Sequence, residues 1–413
     1  MLKPNSGSVS PSYAVLLAVP GFARVALATL LARLGGQMWE IVLVLFVLQR
    51  YRSPTLAGVT VLFSIFPGLV LSPVAGALLD RQGRIRLMIV DYSLTAVLTA
   101  AIVFLSLIHR LPPLLLLGLV TVLAVSNILS ITGARSLFPL MLPRPLWDRA
   151  NGLDTSSYSL MAIVGPAIAG VVVARFGPEA GLVATATVAA LAGCSLLGVA
   201  EPVARALVTS PLIADAFAAL RYVLRHRSLR GLAITLFLAN LGFGVLTVGI
   251  PVLVLRQLHG SAATVGQVFA VFGLAGLVSG LSIGRINTEG RERALIAGCI
   301  AIQIPVLALL GFANNLPIVF ALAAIAGAAG SVVNLGIFAL RQRRTDAAWF
   351  GRAFAVSLSL NFAGQPIGSA ISGPLLEGSI ALPLLLGAAM TAAAAAAALR
   401  FIPRLPERPA AAD

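Results

Sequence analysis

Three ionisable residues lie inside apolar stretches of the sequence, where a charge is unusual. Glu40 stands near the middle of the run 26–49, seven residues after Arg33, and Asp91 lies near the start of the run 87–108. A separation of about two helical turns, or roughly 10 Å, places Arg33 and Glu40 on one helix face. Removal from water favours the neutral form of a carboxylic acid, whereas a nearby guanidinium favours the carboxylate. The pattern suggests that Glu40 binds and releases a proton beside Arg33; a static buried ion pair is the alternative.

The chain that carries these residues is far too apolar for a soluble protein. Of its 413 residues, 59% are hydrophobic and 10% are charged, and the mean hydropathy is +1.00. A bilayer-spanning helix takes about 20 apolar residues, and a helix satisfies its own backbone hydrogen bonds in lipid. We therefore predict an all-α membrane protein with twelve transmembrane helices, at 26–49, 55–79, 87–108, 112–134, 152–174, 180–200, 231–255, 262–284, 294–312, 316–340, 353–375 and 380–399.

The basic residues predict how the chain crosses the membrane. The formal net charge is +15, but the 29 basic residues are scattered through short connections between the apolar runs. That distribution is typical of cytoplasmic membrane loops and does not resemble a nucleic-acid-binding face. With the N-terminus inside, most basic residues face the cytoplasm. We predict a multi-pass protein of the cytoplasmic (inner) membrane with both termini cytoplasmic and its first span retained as an anchor. We expect a monomer among membrane lipids, with no nucleic-acid partner.

The two halves of the sequence repeat. LARLG at 31–35 recurs as LANLG at 238–242, and Arg-Ala at 149–150 recurs at 352–353, in each case about half a chain length later. Six spans per half orient the two copies alike, which predicts two parallel-repeat six-helix bundles around a central cavity. The predicted segments are an N-terminal cytoplasmic segment 1–25, bundles 26–200 and 231–399, a cytoplasmic linker 201–230 with an amphipathic helix, and a tail 400–413.

A charged, glycine-containing loop joins the second and third predicted spans. It reads Gly76-x-x-x-Asp80-Arg81-x-Gly83-Arg84-x-Arg86, and its glycines permit close packing and a tight reversal. In a twelve-span chain with a parallel repeat, this loop resembles the signature loop of the major facilitator superfamily. The resemblance implies the major facilitator fold, with Asp80 facing the start of span 11 near Gly351-Arg352 and latching the outward-facing state. A plain topology anchor is the alternative.

Other charges close to this loop extend the same hypothesis. Arg81, Arg84 and Arg86 can pair with carboxylates such as Asp148. Asp91 lies only about one turn inside its span, so it is either a second proton-binding candidate or a member of the loop cluster.

A second motif points to a branch of the superfamily. Gly165-Pro166-x-x-x-Gly170 in the fifth span resembles the antiporter motif of the family, in shortened form. Together with RANG at 149–152 and Arg-Gln at 341–342, it resembles the drug:proton antiporter branch, which includes macrolide and siderophore exporters. Proline kinks the helix and the glycines admit a neighbouring helix. A packing kink without bearing on transport direction is the alternative.

Polar side chains within the apolar runs are candidates for a substrate cavity. In the superfamily, spans 1, 4, 7 and 10 line that cavity, so several of these residues could contact a substrate, although interhelical hydrogen bonds are the alternative. An apolar cavity with few polar groups and one acid suits an amphipathic or cationic small molecule. The candidates are Gln37, Asn127, Tyr158, Asn240, Asn334, Asn361 and Gln365.

The resemblance and these residues imply a secondary active transporter. We expect it to export a hydrophobic or amphipathic small molecule, such as a drug, a macrolide or a siderophore-like compound, in exchange for protons by alternating access. A proton-coupled nutrient importer or a lysolipid transporter of the same fold is the alternative. The histidines are scattered, and Cys194 and Cys299 lie inside apolar runs. The sequence contains no clustered acids and no phosphate-binding loop. These observations argue against an enzyme, a metal site or a cofactor. A non-transporting sensor stays open.

Overall fold

The computed structural model describes residues 13–201, 212–283, 289–345, 356–357 and 359–403, without the side chains of 73–74, 76–77, 80 and 212–217. In these ranges the chain is helical and contains no strand. The fourteen helices are α1 (Tyr13–Ala18), α2 (Phe22–Tyr51), α3 (Pro54–Gln82), α4 (Arg84–Leu107), α5 (Pro113–Met141), α6 (Trp147–Phe176), α7 (Pro178–Leu196), α8 (Leu212–Arg225), α9 (Arg227–Val252), α10 (Ala262–Ile283), α11 (Glu292–Leu310), α12 (Leu316–Arg344), α13 (Gly364–Gly378) and α14 (Ala381–Phe401).

Turn chemistry in the sequence explains where several helices begin and end. The Ser53 hydroxyl accepts a hydrogen bond from the Leu56 N–H (3.1 Å) and Pro54 is the first residue of α3, which is a favoured helix start. Asn315 caps α12 in the same way through the Ile318 N–H (3.0 Å). Gly83 separates α3 from α4 with φ of 92°, a conformation that favours glycine. The predicted reversal after Asp80 is therefore present.

The predicted membrane spans correspond to these helices with shifted ends. Eleven helical segments in the described ranges are long and apolar enough to cross a membrane. The predicted span 353–375 falls on α13 and on residues before it that are only partly described. The largest shift is in α5, predicted to end at 134 but continuing to Met141. A helix needs only its i to i−4 hydrogen bonds to continue, so it runs beyond the apolar stretch that hydropathy detects.

Helix packing confirms the parallel repeat. In the first half α2 packs against α6 and α7, α3 against α5, and α4 against α5 and α7. In the second half α9 packs against α13 and α14, α10 against α12, and α11 against α12 and α14, which is the same set of pairs six spans later. The two bundles meet mainly through α3 with α13 and through α6 with α10, again an equivalent pair.

The two ends of the molecule differ in how the bundles meet. We call the end that carries α8 and the α3–α4 turn the linker face, and the other end the opposite face. Toward the opposite face, one apolar core joins both bundles. It includes the buried stretch 41–48 of α2 and the buried stretch 244–254, which begins in α9 and continues just past its end. Toward the linker face, each bundle has its own separate core. The bundles are thus sealed together at the opposite face and separated at the linker face.

The helix α8 of the connection between the bundles packs against α3 and α9. Ala219 and Val223 are buried on its inner side, and Val223 lies in a small cluster with Leu229, Val356 and Leu360. The helix therefore touches the second span of the first bundle and two spans of the second bundle at the linker face.

Candidate functional site

Glu40 marks the depth at which the gap between the bundles closes. Glu40 and Gly36, one turn earlier, are exposed, whereas all residues from Ile41 to Leu48 are buried. An exposed carboxylate in the middle of an apolar spanning helix needs a polar space beside it. Glu40 therefore lies at the closed end of a space that opens toward the linker face, which we call the vestibule.

The structure pairs Arg33 with Asp154 of α6, and not with Glu40 as the sequence suggested. Arg33 Nη2 lies 2.6 Å from Asp154 Oδ1, and Nη1 donates to the Ser157 hydroxyl (2.5 Å) and to the Asp154 carbonyl oxygen. The Arg33 guanidinium also lies over the Tyr158 ring, 5.7 Å from its centre. Sequence spacing along α2 could not show this partner, because it comes from a helix 121 positions away. The positive charge of Arg33 is thus neutralised within the first bundle.

Tyr158 lies beside this ion pair and within the electrostatic range of Glu40. Its side chain is 54% exposed, and Glu40, Arg33 and Arg135 all interact with its hydroxyl electrostatically. Three helices, α2, α5 and α6, therefore contribute polar groups to one wall of the vestibule. Arg135 was absent from the predicted site because it lies at the end of the apolar part of its span. A prediction of a longer α5 would have placed Arg135 inside a spanning helix and marked it as a candidate.

A cavity continues from this wall toward the linker face. It has a volume of about 230 Å³ and is lined by apolar side chains of α1, α2, α5 and α6 together with Thr29, Asp154 and Ser157. The Arg33–Asp154 pair therefore borders an apolar pocket. Such a pocket with few polar groups suits a molecule that is largely hydrophobic.

Asp91 lies behind the vestibule wall, between α4 and α5. Its side chain is 1% exposed, and its Oδ1 atom has no hydrogen-bond partner among the described residues. The hydroxyls of Ser126, Ser130 and Thr95 lie beside the carboxyl group. The Ser126 and Ser130 hydroxyls donate to the carbonyls of Leu123 (3.2 Å) and Asn127 (3.1 Å) in their own helix, so their oxygens can accept a hydrogen bond from the protonated acid.

The predicted cavity residues divide into two groups. Asn127 and Asn334 are exposed at equivalent positions of the two halves, and Asn127 shares a face of α5 with Arg135, two turns away. Gln37 and Gln365 are half-buried. By contrast, the Asn240 amide donates to the Leu236 carbonyl of its own helix (2.9 Å), and Asn361 is only 4% exposed. The Asn240 amide is thus engaged within its own helix and the Asn361 side chain is buried, so their place in the cavity stays a prediction.

The signature loop contains one contact that the sequence did not predict. The Glu201 carboxylate accepts hydrogen bonds from the backbone N–H groups of Arg84 (2.7 Å) and Ile85 (2.8 Å) at the start of α4. Arg84 Nε donates to the Ser136 hydroxyl of α5 (3.0 Å). A carboxylate at a helix start is favoured by the helix dipole. Glu201 thus holds the segment that follows α7 to the loop.

The predicted latch itself lies outside the part of the chain that is described. Only the backbone of Gly76 and Asp80 is described, and the segment 346–355, which contains Gly351-Arg352, is outside the described residues. Arg81 and Arg86 are exposed at the linker face.

The antiporter-like motif brings α6 against two different helices. A Cβ atom at Gly165 would lie 2.5 Å from Cβ of Gln37 in α2, within the first bundle. A Cβ atom at Gly170 would lie 2.7 Å from the Ala262 carbonyl oxygen and 2.8 Å from Cα of Gly266 in α10. Gly165 therefore allows α6 to pack on α2, and Gly170 allows the two bundles to meet. Pro166 is buried between them.

Comparison with known proteins shows the family to which this chain belongs. The family model of the Major Facilitator Superfamily matches residues 25–302 and 232–413, which together cover nearly all of the chain. The chain belongs to the Major Facilitator Superfamily. It is therefore a multi-pass membrane transporter of small molecules and not an enzyme, and its relatives are consistent with the drug exporter branch.

Similar proteins include both curated relatives and solved structures. An uncharacterized MFS-type transporter, y4rN, of Sinorhizobium fredii is 35% identical over 95% of this chain and 97% of its own. The multidrug efflux pump Tap of Mycolicibacterium fortuitum is 26% identical over 92% of this chain and 95% of its own. The crystal structure of the nucleoside transporter NupG matches the fold with a TM-score of 0.73 at 12% identity, covering 92% of this chain and 98% of that one.

Proposed function

We propose that this transporter exports a hydrophobic or amphipathic small molecule, such as a drug, a macrolide or a siderophore-like compound, in exchange for protons. The observation that carries the proposal is Glu40 at the closed end of the vestibule, with Arg33 already engaged by Asp154. In the described part of the chain Glu40 makes no ion pair. Its carboxylate is thus available to a proton or to a cationic substrate group. The similarity to the efflux pump Tap supports export.

The direction of loading follows from the predicted topology. The abundance of arginine near the linker face favours a cytoplasmic location for that face. In that orientation the vestibule opens to the cytoplasm of the cell, and the protein lies in the cytoplasmic membrane with both termini inside. A substrate from the cytoplasm displaces the proton of Glu40, the bundles rock, and an outer proton replaces the substrate. We propose a monomer in the lipid bilayer as the working unit.

The substrate contacts follow from the vestibule wall. We assign the polar contacts to Gln37, Asn127, Tyr158, Asn334 and Gln365, because these side chains are exposed or half-buried within spanning helices. The apolar pocket beside Asp154 accommodates the hydrophobic part of the molecule.

Asp91 is a second proton site in this proposal. It is separated from the substrate, and a protonated carboxyl there donates to a serine oxygen without requiring a counter-ion. Asp80 retains the latch role that the family resemblance implies.

Everted and right-side-out membrane vesicles test the proposal. With an imposed proton gradient, everted vesicles that contain the protein should accumulate dyes, macrolides or siderophores, and Glu40→Gln should abolish this flux without reducing the amount of protein in the membrane. Glu179→Gln is the matched control, because Glu179 bonds to Ser106 of its own bundle (2.9 Å) and lies at the opposite face. Accumulation only in right-side-out vesicles would refute export and favour the importer. Normal coupled flux in Glu40→Gln would remove Glu40 from the proton pathway.

A further inference from the structure

The opposite face carries a carboxylate that joins the two bundles. Glu377 lies at the end of α13, where its Oε1 atom accepts hydrogen bonds from the Ser53 hydroxyl (3.1 Å), the Thr55 N–H (3.2 Å) and the Thr55 hydroxyl (3.2 Å). Ser53 and Thr55 form the start of α3 in the other bundle. A carboxylate at a helix start gains from the exposed N–H groups and from the helix dipole. One side chain of the second bundle thus caps a helix of the first.

Arg256 extends this contact into a chain of bonds across the interface. Its Nη1 atom lies 3.9 Å from Glu377 Oε2, and its Nη2 atom donates to the Arg52 carbonyl oxygen (2.6 Å). Arg256 lies in the π-helical turn Leu253–Gln257 that follows α9, whereas Arg52 ends α2. The three hydrogen bonds that Glu377 accepts therefore join one bundle to the other. The hydrogen bond from Arg256 to the Arg52 carbonyl oxygen does the same.

The repeat shows that these polar contacts occur at one of the two equivalent interfaces between the bundles. At the equivalent interface of α6 with α10, the position that corresponds to Glu377 is Ala174, by the same offset that relates Gly170 to Gly373. The start of α10 is capped instead by Ser261 of its own segment, whose hydroxyl accepts from the Thr264 N–H (3.3 Å). The α6–α10 contact relies on the close approach of Gly170 and Gly266. A polar bond between bundles at the opposite face is thus found, in the described residues, on the α3–α13 side.

We propose that Glu377 is the latch of the opposite face, a positioning residue that holds the bundles closed there while the vestibule is open at the linker face. When the bundles rock to the other conformation, the start of α3 moves away from the end of α13, and the hydrogen bonds of Glu377 must exchange for water. The latch therefore sets the ratio of the two conformations. It concerns the conformational cycle alone and does not depend on the substrate, the coupling ion or the direction of transport.

Distances between spin labels at the opposite face test the proposal. In the full-length protein with Cys194→Ser and Cys299→Ser, labels on Leu114→Cys and Phe312→Cys report the separation of the bundles, because these side chains are 82% and 65% exposed at the opposite face. The label distances are measured in detergent or nanodiscs without substrate or gradient. Glu377→Gln should raise the ratio of long to short label distances about fivefold, a modest value because the carboxylate is partly exposed to solvent.

Two further variants make the result decisive. Thr55→Val removes one hydroxyl donor while it preserves the side-chain shape, and it should shift the distances in the same direction by a smaller factor. Glu179→Gln removes an acid of the same face that bonds within one bundle, and its distances should match those of the parent. Unchanged distances in both Glu377→Gln and Thr55→Val, or an equal shift in Glu179→Gln, would overturn the latch. If Glu377→Gln does not fold, Thr55→Val alone decides.

Discussion

We predict that the Arg33–Asp154 pair affects how strongly Glu40 attracts a proton, and Asp154→Asn tests this directly. The substitution removes the anion that neutralises Arg33, whose side chain is only 16% exposed. Arg33 and Glu40 lie about 10 Å apart along α2. At an effective dielectric constant near 20, an uncompensated guanidinium at that distance stabilises the Glu40 carboxylate by roughly 1.7 kcal/mol, which is roughly a 17-fold change in proton binding. We therefore expect protonation of Glu40 in Asp154→Asn to require a pH lower by about one unit.

Proton-driven flux measured as a function of pH in vesicles checks this expectation. The pH of half-maximal coupled flux should fall by about one unit in Asp154→Asn. In the double variant Arg33→Gln/Asp154→Asn, no unpaired cation is left, so the profile should return close to that of the parent. Ser157→Ala removes only a hydroxyl contact of Arg33 and serves as the control with a small effect. A parent-like profile in Asp154→Asn, or the same shift in the double variant, would refute the reasoning.

Three further predictions concern other contacts. Glu201→Gln should lower the stability of the first bundle by about 1 kcal/mol, seen as a lower thermal midpoint, because the start of α4 loses its charged cap; an unchanged midpoint would contradict it. Gly170→Val should favour separation of the bundles at the opposite face in spin-label distances, since its Cβ would meet Gly266; a parent-like distance would show that the helices adjust. Asp80→Asn should reduce turnover more than substrate affinity, and unchanged turnover in transport assays would leave the loop as a topology anchor.

Features that depend on local composition were predicted from the sequence. The apolar runs identify the spanning helices, and the recurrence of LARLG as LANLG identifies two bundles in the same orientation, both confirmed by helix packing. The glycines at Gly165 and Gly170 were expected to admit neighbouring helices, and the structure places α2 and α10 against them. Such features can be read directly because hydropathy and repeat spacing act over neighbouring residues or over a constant offset.

The partners of charged side chains were not predictable in this way. Arg33 was expected to act with Glu40 on its own helix, but it binds Asp154 of α6. Glu201 and Glu377 bond to helix starts that lie at least 116 and 322 positions away along the chain, respectively. Asn361 and Asn240 were grouped with the cavity residues, but the sequence could not show that Asn361 is buried or that the Asn240 amide bonds within α9. The rotation of each helix about its axis decides these contacts, and that rotation depends on packing against several neighbours at once.

The sequence by itself thus determined the class of the molecule, because about 20 apolar residues per span have no stable alternative to a helix in lipid. It also identified Glu40 as a candidate proton-binding residue. The tertiary structure decided which conformation the bundles adopt, that Arg33 pairs with Asp154 and not with Glu40, and which carboxylate bonds one bundle to the other at the opposite face. Those outcomes depend on distances between helices far apart in the chain, which side-chain packing sets and no single run of residues contains.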